Sequence, residues 1–115
     1  MKYSVTDIFH AMKQAVDMDE SLKDRFNALV QFTVDGESIT LDARRASDSS
    51  NGDKPDLVVK TSLQILLDLL QKKIKPQQAF MKGKLRIKGK MSLAMKLSMV
   101  LDATRKQLAL NHSRL

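Results

Sequence analysis

Hydrophobic positions recur at two periods along the chain, and the switches between those periods divide it into elements. Val5, Ile8, Phe9, Met12 and Val16 follow helical spacing, with Ser4 or Thr6 available as a cap. This predicts a first helix with one face toward a core. The acidic, polar stretch from Asp17 to Asp24 reads as a short second helix. The period then falls to two: Phe26, Ala28, Val30, Phe32 and Val34 alternate with Asn27, Gln31, Thr33 and Asp35, Leu29 being the exception. Successive side chains of a strand point to opposite faces, so this predicts a half-buried strand. Asp35-Gly36 signals a hairpin, and Ile39 and Leu41 alternate on the return strand.

Ser47 to Asp56 is a polar loop containing Asn51-Gly52 and Pro55, and Leu57-Val58-Val59 reads as a third strand. Thr61-x-x-Gln64 has the form of a capping box ahead of Leu63, Leu66, Leu67, Leu70 and Ile74, the clearest helical pattern in the chain. Pro76 should stop or restart that helix. From Lys84 to Lys90 the alternation returns, with Leu85 and Ile87 inward and Lys84, Arg86, Lys88 and Lys90 outward. From Met91 the helical period resumes to about Leu110. The order is helix, strands, helix, strand, helix. It predicts one α+β domain with an antiparallel sheet covered mainly on one side.

Composition narrows the function. The chain has 115 residues, within the usual range of a single domain. It contains no cysteine, which excludes disulfides and thiol catalysis. No apolar run approaches the roughly 20 residues of a membrane span. Lys2 and Tyr3 lead straight into the first amphipathic segment, so no cleavable signal is expected and the protein should stay inside the cell.

The net charge is +7, and its placement says more than its size. No acidic residue falls between Leu69 and Leu101, whereas Lys72, Lys73, Lys75, Lys82, Lys84, Arg86, Lys88, Lys90 and Lys96 all do. Such a field draws anions: phosphate head groups, coenzyme A, an anionic membrane or nucleic acid. Alternatively it is a solvated face that keeps the protein dissolved. Nucleic acid fits poorly, because single-strand binders interleave aromatic residues with their cations and this chain has one Tyr, four Phe and no Trp.

Catalysis finds no foothold. His10 and His112 are too far apart in sequence to suggest a pair, and no phosphate loop, nucleophile elbow or metal-spaced cluster is present. No enzyme activity, metal or cofactor is expected. The informative element is the predicted helix from Met91 to Leu101. At about 100° per residue, Met91, Met95 and Met99 form one stripe, and Leu93, Leu97 and Leu101 form another roughly 160° away. A helix on a sheet needs one apolar face, and this one has two. A bound lipid, the C-terminal segment around Leu108 and Leu110, or a second subunit could cover the other. Methionine suits a varied partner, since its side chain is unbranched and polarizable.

One stretch carries a family likeness. Pro76-Gln77-Gln78-Ala79-Phe80-Met81-Lys82-Gly83-Lys84-Leu85-Arg86-Ile87-Lys88-Gly89, followed by Met91-Ser92-Leu93-Ala94-Met95-Lys96-Leu97, resembles the signature of the sterol carrier protein 2 family. The resemblance covers essentially the whole chain, strongly from Leu57 onward and only in pattern before it. It implies a five-stranded, mostly antiparallel sheet with helices enclosing a hydrophobic tunnel. It also implies non-enzymatic carriage of fatty acid, fatty acyl-CoA or sterol between membranes or enzymes; from Met1 and the short tail a free-standing form of the domain is expected. The tunnel wall would be drawn from Leu66, Leu70, Ile74, Phe80, Met81, Ile87, Met91, Met95 and Met99. Arg25, at the start of the first predicted strand, is the candidate partner for a carboxylate head.

The closing Ser113-Arg114-Leu115 resembles the Ser-Lys-Leu peroxisomal address, with Arg for Lys. The expected partners are therefore a lipid, anionic membranes in transient contact and a peroxisomal import receptor, with no nucleic acid. The expected location is the peroxisome with a cytoplasmic pool, as a monomer or weak homodimer. The rival reading is a protein-interaction module or homodimer built on the Met-rich face.

Overall fold

A computed structural model describes residues 3–44 and 54–112. Helix α1 (Val5–Met18) starts at a complete capping box. The Ser4 hydroxyl accepts the Asp7 N–H and the Asp7 carboxylate accepts the Ser4 N–H, each at 3.1 Å. The bond from the Ser4 backbone, then that from its side chain, holds the Asp7 carboxyl below the usual carboxylate range. Val5, Ile8, Met12 and Val16 are buried, as the spacing predicts. Helix α2 (Glu20–Phe26) is capped by Asp19, which accepts the Leu22 N–H at 3.0 Å. It ends at Asn27 in the left-handed region (φ 44°). Asn tolerates that conformation, and the cap displaces the expected strand start: Phe26 is a buried helix end, and β1 begins only at Leu29.

Strands β1 (Leu29–Val34) and β2 (Glu37–Asp42) form the expected hairpin, with positive φ at Asp35 and Gly36. Strand β3 (Leu57–Thr61) runs parallel to β1 along its other side, and β4 (Arg86–Gly89) is antiparallel to β3. The order is β2-β1-β3-β4, four strands among the described residues where five were expected. Of the expected polar loop, residues 47–53 lie outside the described ones. Register puts Val30, Phe32, Leu41, Leu57, Val59 and Ile87 on one face. Gln31, Thr33, Ser38, Thr40, Lys60, Arg86 and Lys88 fall on the other. The apolar face lies under the helices: α1 packs over β2 and against α6 (Leu97–His112), which also touches α2 and α3.

Helix α3 (Leu63–Leu70) is capped by Ser62, whose hydroxyl accepts the Ile65 N–H at 3.2 Å. Thr61, the expected cap, instead donates to the Lys84 carbonyl at 3.1 Å and ties β3 to the approach to β4. Helix α3 stops well short of Ile74. The Lys72 N–H donates to the Leu69 carbonyl at 3.2 Å and the Lys73 N–H to the Asp68 carbonyl at 2.9 Å, a Schellman stop. Lys72 takes the left-handed position (φ 62°) that glycine usually fills. Pro76 then restarts the chain as α4 (Pro76–Met81).

The helix expected from Met91 is broken in two. Helix α5 (Met91–Ala94) is a single turn, a tight turn follows at Met95 and Lys96, and α6 begins at Leu97. Lys96 Nζ donates to the Arg25 carbonyl at 3.1 Å and fastens this turn to the end of α2.

Asp56 joins three strands. Its carboxylate accepts the Leu29 N–H at 3.0 Å, its own N–H donates to the Leu29 carbonyl at 2.8 Å, and its carbonyl accepts the Lys90 N–H at 3.2 Å. Gly89 lies against that same carbonyl with φ +124°, and a Cβ there would collide with it. Gly36 (φ +85°) faces open space. Gly36→Ala should therefore cost about 1 kcal/mol, the conformational penalty alone. Gly89→Ala should cost about 2–3 kcal/mol, because the β3–β4 pairing must also shift. Urea unfolding of both variants measures the difference; equal losses would mean that the close approach constrains nothing.

Candidate functional site

A cavity of about 590 Å³ lies beside the edge strand β4. Its wall is assembled from short segments. The end of α3 and the turn after it supply Leu69, Lys72, Ile74 and Lys75; α4 supplies Pro76, Gln77, Phe80 and Met81; β4 supplies Ile87. Met91, Ala94 and Met95 come from α5 and its end, and Ser98, Leu101 and Asp102 from the first turns of α6. The size falls within the roughly 300–1,000 Å³ of small-molecule pockets.

Each part of the wall follows from a local cause. Ile87 pairs with Val59 on the apolar face, but β4 is the last strand, so its far side stays open. The Schellman stop throws Ile74 out of the α3 helix and onto the wall. The Lys75 N–H donates to the Gln78 side chain at 3.1 Å, fixing the start of α4. The α5–α6 break lets Leu93 and Leu97 sink into the core while Met91 and Met95 stay 52% and 74% exposed.

The polar groups on the wall are few. Asp102 accepts from Arg105 at 3.0 Å. Lys72 and Lys75 have no acidic partner among the described residues. No group of three or more His, Cys, Asp or Glu there is placed to hold a metal. The arrangement can enclose an apolar body and meet a negative charge at one side.

The profile of the SCP-2 sterol transfer family matches residues 9–102. This chain belongs to that family. Non-specific lipid-transfer protein-like 1 of Caenorhabditis elegans is 30% identical over 112 residues, covering 89% of this chain and 93% of that protein. Hydroxysteroid dehydrogenase-like protein 2 of Bos taurus is 31% identical over 106 residues, covering 86% of this chain but 25% of that longer protein. Among solved structures, apo sterol carrier protein 2 of Yarrowia lipolytica matches with a TM-score of 0.69 at 20% identity, over 85% of this chain and 89% of that one. Palmitated SCP2L2 of Aedes aegypti matches with a TM-score of 0.59 at 21% identity, over 87% and 96%. These two show the shared fold.

Within this SCP-2 domain, Ile74, Phe80, Met81, Ile87, Met91 and Met95 stand together on the cavity wall. Leu66 and Leu70 do not: each is 1% exposed and sealed in the core. Met99 is half-buried and packs on the core, because the break at Met95 and Lys96 interrupts the stripe that would have aligned it with Met95. Arg25 lies exposed in the last turn of α2 and is not on the wall. Ser113, Arg114 and Leu115 lie outside the described residues.

Leu69, Ala94 and Leu101 join the wall unannounced. The first and last are 5% exposed, so they serve core and wall at once, and spacing cannot separate the two roles. Lys72 and Lys75 had a signal, the acid-free stretch, but nothing in it distinguished them from its other cations. His10 and His112, distant in sequence, share a second groove with Asp7, and the ring centroids of Tyr3 and His112 lie 4.9 Å apart.

This division of labour is measurable. Leu97→Ala should cost about 2–5 kcal/mol, as for other buried leucines. Met95→Ala should stay within about 0.5 kcal/mol, as for exposed positions. Denaturant unfolding of lipid-free protein compares them, since bound ligand raises apparent stability. Similar losses would place Met95 in the core.

Proposed function

We propose that this domain carries a lipid in the cavity beside β4, without transforming it, and passes it between membranes or enzymes. Membership of the SCP-2 family supports lipid binding in general. The observation that carries the reading further is the wall itself: aliphatic and thioether groups around about 590 Å³, with free cations at one side. Taking each CH₂ of a tail out of water contributes about 0.8 kcal/mol, so a long chain outweighs the cost of association. A fatty acid or fatty acyl-CoA would set its acidic head by Lys72 and Lys75; a sterol would use the apolar wall alone. The palmitated relative of this fold is in keeping with the first class. Transient contact with anionic membranes belongs to the same reading.

Two substitutions test it together, with fluorescent fatty acid and fluorescent sterol as probes. Ala94→Trp places an indole in the cavity and should weaken both ligands at least about tenfold, while costing less than the roughly 1–3 kcal/mol of overpacking in a filled core. Lys72→Gly should stabilise the protein by about 1 kcal/mol, since glycine relieves the left-handed residue. It should nevertheless weaken the fatty acid more than the sterol. An Ala94→Trp variant that binds both probes as the parent does removes the cavity from consideration.

Peroxisomal location, with a cytoplasmic pool, is proposed from Ser113-Arg114-Leu115 alone. Removing the three residues from an N-terminally tagged protein should disperse it into the cytosol while lipid affinity stays unchanged. If the intact tagged protein shows no enrichment in peroxisomes, there is no address to remove.

A further inference from the structure

The large apolar side chains left exposed among the described residues are Met18, Phe80, Met81, Met91, Met95 and Leu110. All but Met18 and Leu110 belong to the cavity wall. Met81 is 78% exposed and Met95 74%. Single exposed apolar groups need no explanation, but a cluster on one rim does.

The rim is also basic. Lysines flank these methionines in the chain, Met81-Lys82, Lys90-Met91 and Met95-Lys96, but Lys90 pairs with Asp56 at 3.9 Å and Lys96 is bonded to the Arg25 carbonyl. Lys72 and Lys75 stand on the wall, and Lys73 and Lys82 adjoin it, exposed and without an acidic partner among the described residues. The one acid on the wall, Asp102, is already held by Arg105. The outer face of the sheet is basic too, through Lys60, Arg86 and Lys88, but its other members are polar or half-buried and it offers no large exposed apolar group. Among the described residues, the cavity side combines both characters and the outer face of the sheet does not.

That combination fits an anionic bilayer, where apolar tips enter between head groups and ammonium groups stay with the phosphates. A second copy fits badly, because symmetric pairing would bring one lysine-rich rim against another. We propose that the mouth of the cavity docks on anionic bilayers, led by Met81 and Met95. The inference rests on the lipid-carrier reading and names the surface through which lipid is exchanged.

The chain has no tryptophan, so Met81→Trp introduces a sole indole reporter. Its emission should shift to the blue, and be quenched by brominated lipid, with phosphatidylcholine vesicles containing phosphatidylserine but not with phosphatidylcholine alone. Met18→Trp, on the second groove, should not respond. In vesicle flotation, Lys73→Glu combined with Lys82→Glu should lower affinity for anionic vesicles about tenfold or more, each lysine near the surface adding to the attraction. Arg86→Glu combined with Lys88→Glu should lower it less. Binding of a fluorescent fatty acid without vesicles should be unchanged by Lys73→Glu and Lys82→Glu, which spare the wall.

The two readings fail separately. If the parent binds the fatty acid but Met81→Trp ignores anionic vesicles, the docking surface is wrong and carriage stands. If the parent docks but binds neither the fluorescent fatty acid nor the fluorescent sterol, the carrier reading falls and the docking stands. Equal losses from the two charge-reversal pairs would overturn the assignment to this rim. So would a Met81→Trp shift that follows protein concentration without vesicles, which would mark a second copy as the occupant.

Discussion

Asp56 holds together the part of the fold that everything near the cavity depends on. Through its carboxylate and its own N–H it binds the backbone N–H and C=O of Leu29, and its carbonyl binds the Lys90 N–H. One residue thus fixes where β1 starts, where β3 starts and where β4 ends. Because β4 ends there, α5 must begin beside it, and Met91 follows Lys90 onto the wall. The pairing is tight enough that Gly89 has no room for a side chain. An isolated backbone hydrogen bond contributes only about 1 kcal/mol net. The importance of this cluster lies in geometry, since it fixes the end of the pairing among β1, β3 and β4.

The sheet has one apolar face and the helices cover it unevenly. Helix α1, fourteen residues long, packs over β2 and against α6, which has sixteen. At the β4 end the cover consists of α4 and α5, of six and four residues. The core therefore closes at one end and remains unfilled at the other. Leu69 and Leu101 stand at the boundary, each buried in the core and each facing the cavity. A ligand in contact with both joins the same packed body, so occupancy and stability are thermodynamically linked.

Much of this was readable from spacing. The α1 face, the hairpin at Asp35-Gly36, the β3 and β4 strands and most of the apolar wall follow from periodicity and from the family resemblance. What escaped was where helices stop. Lys72 ends α3 in a conformation that sequence reasoning assigns to glycine, and Met95-Lys96 breaks a helix without a proline or glycine in sight. Both breaks depend on contacts made far along the chain or on a backbone choice that side-chain identity does not announce. The consequences landed on the site: Ile74 turned toward the cavity, Met99 turned away, and the continuous methionine stripe became a pair. Arg25 was misplaced for a related reason, because the left-handed Asn27 ends α2 one residue after Phe26 and delays the strand.

The shortness of α4 and α5 has a consequence for motion. A single helical turn has few backbone hydrogen bonds of its own; α5 is held by bonds such as Leu93 N–H to Lys90 O at 3.0 Å and Met95 N–H to Met91 O at 3.2 Å. Helix formation is cooperative, and segments this short gain little from it. These turns can unfasten while α1, α6 and the sheet keep their packing, so their amides should exchange with solvent through local openings far cheaper than global unfolding. A chain of this size then needs no hinge between domains to admit a bulky guest. Among the described residues α4 and α5 are the shortest helices, and their part of the cavity wall should open by fraying.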